Sequence, residues 1–134
     1  MRTSVLMLTI AVLAGCEQVP VYREPPAGSY STATMQVRAD GGSARVEAGA
    51  SVTHEFFTAA DVRPLLGRLF LDTEGASSET RVAVISHALW TEQFAASPSV
   101  IGSTVVVDGQ KTVIVGVLPK GFTVPGSTRL WIPK

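Results

Sequence analysis

Thr104-Val105-Val106-Val107-Asp108-Gly109-Gln110-Lys111-Thr112-Val113-Ile114-Val115-Gly116-Val117-Leu118-Pro119 is the stretch on which the fold turns. β-Branched residues fill both arms, as a pleated, half-buried surface favours. Asp108-Gly109 between them signals a two-residue hairpin, because both turn positions need positive φ. Residues 104–107 and 112–118 therefore read as two paired strands. Their register stays open, since the apolar residues run continuously instead of alternating. Pro119 and Gly121 close the second arm.

Upstream, Val82-Ala83-Val84-Ile85 reads as a short buried strand. Ser86 stands where a helix N-cap would, and residues 87–95 form the helix, with Leu89, Trp90 and Phe94 inward and Thr91 and Glu92 outward. Ser97-Pro98 ends it. Further back, residues 32–37 and 44–53 flank Ala39-Asp40-Gly41-Gly42 as a second pair of strands, with Val46, Ala48, Ala50 and Val52 on one face. Residues 54–60 predict a short helix burying Phe56 and Phe57. Pro64 and Gly67 make residues 62–70 packed but irregular, and residues 72–80 are a polar loop. Downstream, Leu130-Trp131-Ile132 reads as a last short edge strand. The class is α+β: a small mixed sheet with a β-hairpin and one or two short helices.

At 134 residues this is one domain, 46% hydrophobic and 16% charged, with a formal net charge of zero. A neutral chain offers no basic field to nucleic acid. The residues that carry chemistry are sparse. His54 and His87 are far apart in sequence, and nothing has the spacing of zinc ligands. Ser86 and His87 are adjacent, but adjacency does not set a hydroxyl on an imidazole, so a helix cap is the better reading. Asp72 and Glu74 are a carboxylate pair in a polar loop, read as solvated. Trp90 and Trp131 are read as core. No catalytic, metal or cofactor-binding residue is assigned.

The first residues carry a different message. Arg2 precedes an apolar run from Val5 to Leu13, broken only by Thr9. That run is about half the roughly 20 residues a spanning helix needs, which is the layout of a signal peptide. It ends in Leu13-Ala14-Gly15-Cys16, which resembles the bacterial lipobox. The resemblance implies a lipid on the Cys16 thiol, with residues 1–15 removed as the signal peptide. Two or three acyl chains anchor stably where one does not. An ordinary secretory signal with a chance cysteine, or a buried apolar strand, are the alternatives. Cys16 is the only cysteine, so no disulfide forms within the domain. Residues 16–31, rich in proline, are expected to be an extended tether, and residues 32–134 the folded domain. Glu17, where inner-membrane retention usually calls for Asp, favours the outer membrane.

The order of segments resembles a known family. Val52-Thr53-His54-Glu55-Phe56-Phe57 leads into Asp61-Val62-Arg63-Pro64-Leu65-Leu66-Gly67-Arg68-Leu69-Phe70. Then come residues 82–90, Pro98-Ser99-Val100-Ile101-Gly102, the hairpin, Gly121-Phe122 and Leu130-Trp131-Ile132-Pro133. This pattern is similar to the periplasmic core domain of MacB-like ABC transporter permeases, a branch of the FtsX-like family. The resemblance implies an extracytoplasmic α/β module that contacts partner proteins and is not itself a catalyst. Departures are the lipobox in place of the first spanning helix, the end of the sequence at Lys134, and the few acidic residues after Phe70. The expectation is a lipid-anchored periplasmic lipoprotein, accessory to an ABC-type efflux or envelope transport complex. A carrier of a small apolar ligand and a truncated remnant of a permease are the alternatives.

Overall fold

The computed structural model describes residues 22–39, 42–75 and 79–134. Among them the chain forms strands β1 (Tyr30–Ala39), β2 (Ala44–Val52), β3 (Leu66–Gly67), β4 (Val82–Ile85), β5 (Thr104–Val107), β6 (Gln110–Val117) and β7 (Leu130–Pro133). Two short helices, α1 (Phe56–Ala59) and α2 (His87–Phe94), interrupt them. The sheet is mixed: β2 with β7 and β4 with β6 are parallel, and the other pairings are antiparallel. This is the α+β class expected.

The hairpin that decides the fold forms with Asp108 at φ 49° and Gly109 at φ 84°, the left-handed pair a two-residue turn demands. Its register sets Thr104 opposite Val113 and Val107 opposite Gln110. β5 also bonds β1, with Val37 opposite Val107. The pairings therefore close into a ring of six strands, β6-β4-β7-β2-β1-β5, with β3 as a short extra partner along β6.

Both faces of the ring carry a core. Val82 and Val84 join Phe56, Phe57, Phe70, Phe122 and Trp131 on one side. Ala83 and Ile85 join Met35, Val105, Ile114, Leu130 and Leu89 of α2 on the other. Serving two cores at once is why β4 is apolar at every position. Aromatic rings fill the first core at edge-on or tilted angles, Phe56 on Phe57 at 5.2 Å and Phe122 on Trp131 at 5.6 Å.

Several expectations give way here. β7 is not an edge strand. It lies between β2 and β4, with Leu130 committed to one core and Trp131 to the other. In β2 the expected face holds only at its end: Ala50 and Val52 are fully buried, but Val46 is 68% exposed and Glu47 is buried at 7%. β7 pairs with β2 only from Gly49 onward, so Val46 lies on the stretch of β2 that lacks this neighbour. The irregular segment 62–70 contributes β3, whose Gly67 faces Gly116. That approach is tight: a β-carbon at Gly116 would overlap the Arg68 carbonyl oxygen.

The described part of the expected tether is packed as well. Tyr22 sits edge-on to Phe122 at 4.8 Å, and Arg23 N donates to Ala60 O at 3.3 Å. Pro25 is buried, and Ala27–Ser29 form a 3-10 turn before β1. The two tyrosines and the proline bury apolar surface that an extended tether would leave in water. Residues 1–21, including the expected signal peptide and Cys16, lie outside the described residues.

Trp131→Ala is expected to cost about 3–5 kcal/mol of stability. Gly116→Ala should cost about 1–3 kcal/mol through overpacking. Chemical denaturation of each variant measures both, and a loss under about 0.5 kcal/mol in either would contradict the packing described.

Candidate functional site

The residues singled out in the sequence are not gathered by the fold. His54 is exposed in the turn before α1. Ser86 caps α2, its Oγ accepting from Leu89 N at 3.1 Å. His87 lies in the first turn with its ring edge-on to Trp90 at 5.4 Å. Trp90 is half-buried and donates Nε1–H to Ser97 O at 2.9 Å, whereas Trp131 is fully buried. Among the described residues no group of three His, Cys, Asp or Glu converges.

Asp72 and Glu74 do not act as a pair. Glu74 turns back onto Arg68, which grips it with two nitrogens: Nη1 to Oε1 at 2.9 Å and Nη2 to Oε2 at 2.8 Å. Glu74 Oε1 also accepts from Leu71 N at 2.9 Å, and Arg68 Nη1 donates to Leu69 O at 3.0 Å. A two-pronged guanidinium–carboxylate contact fixes direction as well as distance. The hydrogen bond from Arg68 holds the Glu74 carboxyl below the ordinary glutamate range, against a smaller opposing effect of burial. The clamp orders the loop that carries Leu71, which is 51% exposed, and Leu65 before β3 is 50% exposed. Two large aliphatic side chains are thus presented by a segment whose base is braced.

A second set of charges ties α2 to the sheet. Arg129, just before β7, places Nη2 at 2.6 Å from Glu92 Oε1 on α2. Its Nε sits 3.5 Å from Oε1 of the buried Glu47 on β2, close in charge but without hydrogen-bond geometry. Beside them the Gln93 amide, oriented to satisfy both groups, accepts from Arg45 Nε at 3.1 Å and Nη1 at 3.0 Å. The sequence hid these contacts because their partners lie on separate elements. The one clue was parity: Glu47 alternates with the small apolar residues of β2 and so faces the helix side.

One end of the ring opens into a cavity of about 260 Å³ between the β5–β6 turn and the β4–β7 pair. Val82, Val107, Ile132 and Pro133 supply apolar wall, while Arg81, Asp108, Gln110 and Thr112 supply polar groups. A shallower depression lies across β1, β2 and the loop from Pro125 to Thr128.

These features define a small α+β module: a ring of strands that braces one helix and one apolar loop. The family model described as MacB-like periplasmic core domain matches residues 7–134, and the chain belongs to that family. Its structure is similar to the extracellular domain of the noncanonic ABC-type transporter YknZ from Gram-positive bacteria. That match has a TM-score of 0.64 and 19% identity, over 92% of this chain and 59% of that one. It is similar too to the periplasmic region of MacB from Actinobacillus actinomycetemcomitans, with a TM-score of 0.64 and 15% identity over 95% and 54%. A domain of a protein described as a permease from Porphyromonas gingivalis gives 0.56 and 13% over 87% and 52%. At these identities the likeness is one of fold. The chain spans little more than half the length of each. No curated protein matches it.

Glu74→Gln should loosen residues 69–75 while costing less than about 1 kcal/mol, because Arg68 is half-exposed. A carboxylate whose pKa falls on folding stabilises fully above its unfolded value, about 4.3, and loses that contribution as pH drops through the lower folded value. The protection of residues 69–75 against hydrogen exchange, relative to the intrinsic rate at each pH, should therefore hold at pH 5 and fall only in stronger acid. Equal exchange in the variant and the parent would show that the clamp does not order the loop.

Proposed function

We propose that this chain is a lipid-anchored periplasmic lipoprotein whose domain docks on an ABC-type efflux or envelope transport complex. The observation that carries the reading is the joining of two features in one chain. A MacB-like periplasmic core domain spans nearly all of it, and Leu13-Ala14-Gly15-Cys16 stands at its head. Its role is binding and not catalysis. Ser86 and Glu74, the polar groups nearest to a chemical constellation, are engaged in capping and bracing. The braced loop with Leu71, together with Leu65 just before β3, is the surface best built to meet a partner.

The packing of Tyr22 sharpens the picture of the anchor. It stands six positions after Cys16, a reach of at most about 20 Å fully extended. A lipid on Cys16 therefore holds the Tyr22–Phe122 side of the domain close to the bilayer. Glu17 favours the outer membrane as the destination.

A second reading has its own observation. The family match begins at residue 7, inside the apolar run, and the chain spans about half of its structural neighbours. Both fit a piece of a permease whose apolar run is the end of a spanning segment.

Mass spectrometry of the purified N-terminus separates the two. The first reading expects a chain beginning at an acylated Cys16, and Cys16→Ser should release the protein into the soluble periplasm. An uncleaved, unacylated N-terminus that stays membrane-bound in the variant would overturn the lipoprotein reading and favour the second. Detergent co-purification tests docking: an ABC permease or its adaptor should be recovered, and Leu65→Asp with Leu71→Asp should abolish recovery without lowering the melting temperature.

A further inference from the structure

The cavity at the open end of the ring combines two features that do not fit a merely structural void. Its floor is apolar, from Val82, Val107 and Ile132, and two opposite charges stand on its lining, Arg81 and Asp108. Among the described residues neither charge joins an ion pair, so they share a cavity without neutralising each other. Asp108 uses one oxygen structurally, accepting from Gln36 N at 2.8 Å, which leaves Oδ2 for another donor. Arg81 uses its backbone, whose carbonyl accepts from Val113 N at 2.9 Å, and among the described residues its guanidinium has no hydrogen-bond partner.

We infer that this cavity is a binding site for a small zwitterion with an apolar body, of the chemical class of a free aliphatic α-amino acid. The carboxylate of such a ligand takes the Arg81 guanidinium, whose fork matches its two oxygens. The ammonium takes Asp108 Oδ2, and the side chain lies on Val82, Val107 and Ile132. A simple anion would meet Arg81 but face the Asp108 carboxylate unpaired, and a simple cation would suffer the reverse. The volume, about 260 Å³, is below the roughly 300–1,000 Å³ of sites for drug-sized molecules, which selects a compact ligand. The site is independent of the docking role proposed above, and its failure would leave co-purification with a transporter untouched.

Isothermal titration of the full chain in detergent with L-leucine tests the inference. Saturable binding is expected. 4-Methylpentanoate, which lacks the ammonium, and leucinamide, which lacks the carboxylate, should each bind at least tenfold more weakly. Asp108→Asn keeps an acceptor for Gln36 N and tolerates positive φ, so it removes only charge; with Arg81→Gln it should weaken leucine at least tenfold. Circular dichroism melts confirm that both variants fold. No saturable heat with leucine across the millimolar range, or an analogue binding as tightly as leucine, would overturn the proposal without recourse to the variants.

Discussion

The insertion of β7 between β2 and β4 is the contact on which the rest of the structure depends. Without Leu130–Pro133 the strands form two separate groups, β1–β2 on one side and β4–β6 on the other, joined only through β5. With it the ring is complete. Trp131 is fully buried, reaching Phe57 at 6.1 Å and Phe122 at 5.6 Å and donating Nε1–H to Val124 O at 2.9 Å. The flanks are secured in the same register: Ser86 N donates to Arg129 O at 2.9 Å, and Lys134 N to Val52 O at 2.7 Å. The last strand completes a pairing between residues far apart in the chain, a non-local closure of the kind that slows folding.

That insertion also explains how a buried carboxylate is tolerated. Glu47 faces the helix side of β2 at 7% exposure, where an unpaired charge would be costly. Arg129 stands beside it because β7 begins at the next residue, and the same guanidinium reaches Glu92 on α2. A slip of β7 by one residue would turn Trp131 to the opposite face and take Arg129 away from Glu47. Hydrophobic burial and charge pairing thus specify one register, and α2 is held in place by both.

Much of this was legible in the chain. Asp108-Gly109, the apolar run of β4 and the Ser86 cap each express a local rule: turn conformation, burial on two faces, and satisfaction of an orphan N–H. Those elements stand where the residues place them. What misled were the positions decided by neighbours distant in sequence. Nothing local in Leu130-Trp131-Ile132 distinguishes an edge from an interior strand, although apolar residues directed to both faces are the trace of it. Val46 has every local reason to be buried and is exposed, on the stretch of β2 that β7 does not reach. Tyr22 and Pro25 read as linker by their prolines, and only Phe122 and the backbone of Ala60, supplied from elsewhere, make them part of the domain. The brace of Arg129 with Glu47 belongs to the same kind, whereas Arg68 and Glu74 are only six residues apart and were hidden by the irregular turn between them.

The two braces differ in what they hold. Arg129 fixes a helix against the sheet through a half-buried network, an arrangement that resists movement. Arg68 and Glu74 brace a surface loop through an accessible contact, leaving Leu71 outside the core that takes Phe70 beside it. An aliphatic side chain kept in water by a rigid base loses little conformational entropy on meeting a partner, which is the advantage of preorganisation in recognition. The braced loop follows directly on β3, and β3 pairs with β6, so its base is continuous with a sheet that closes on itself.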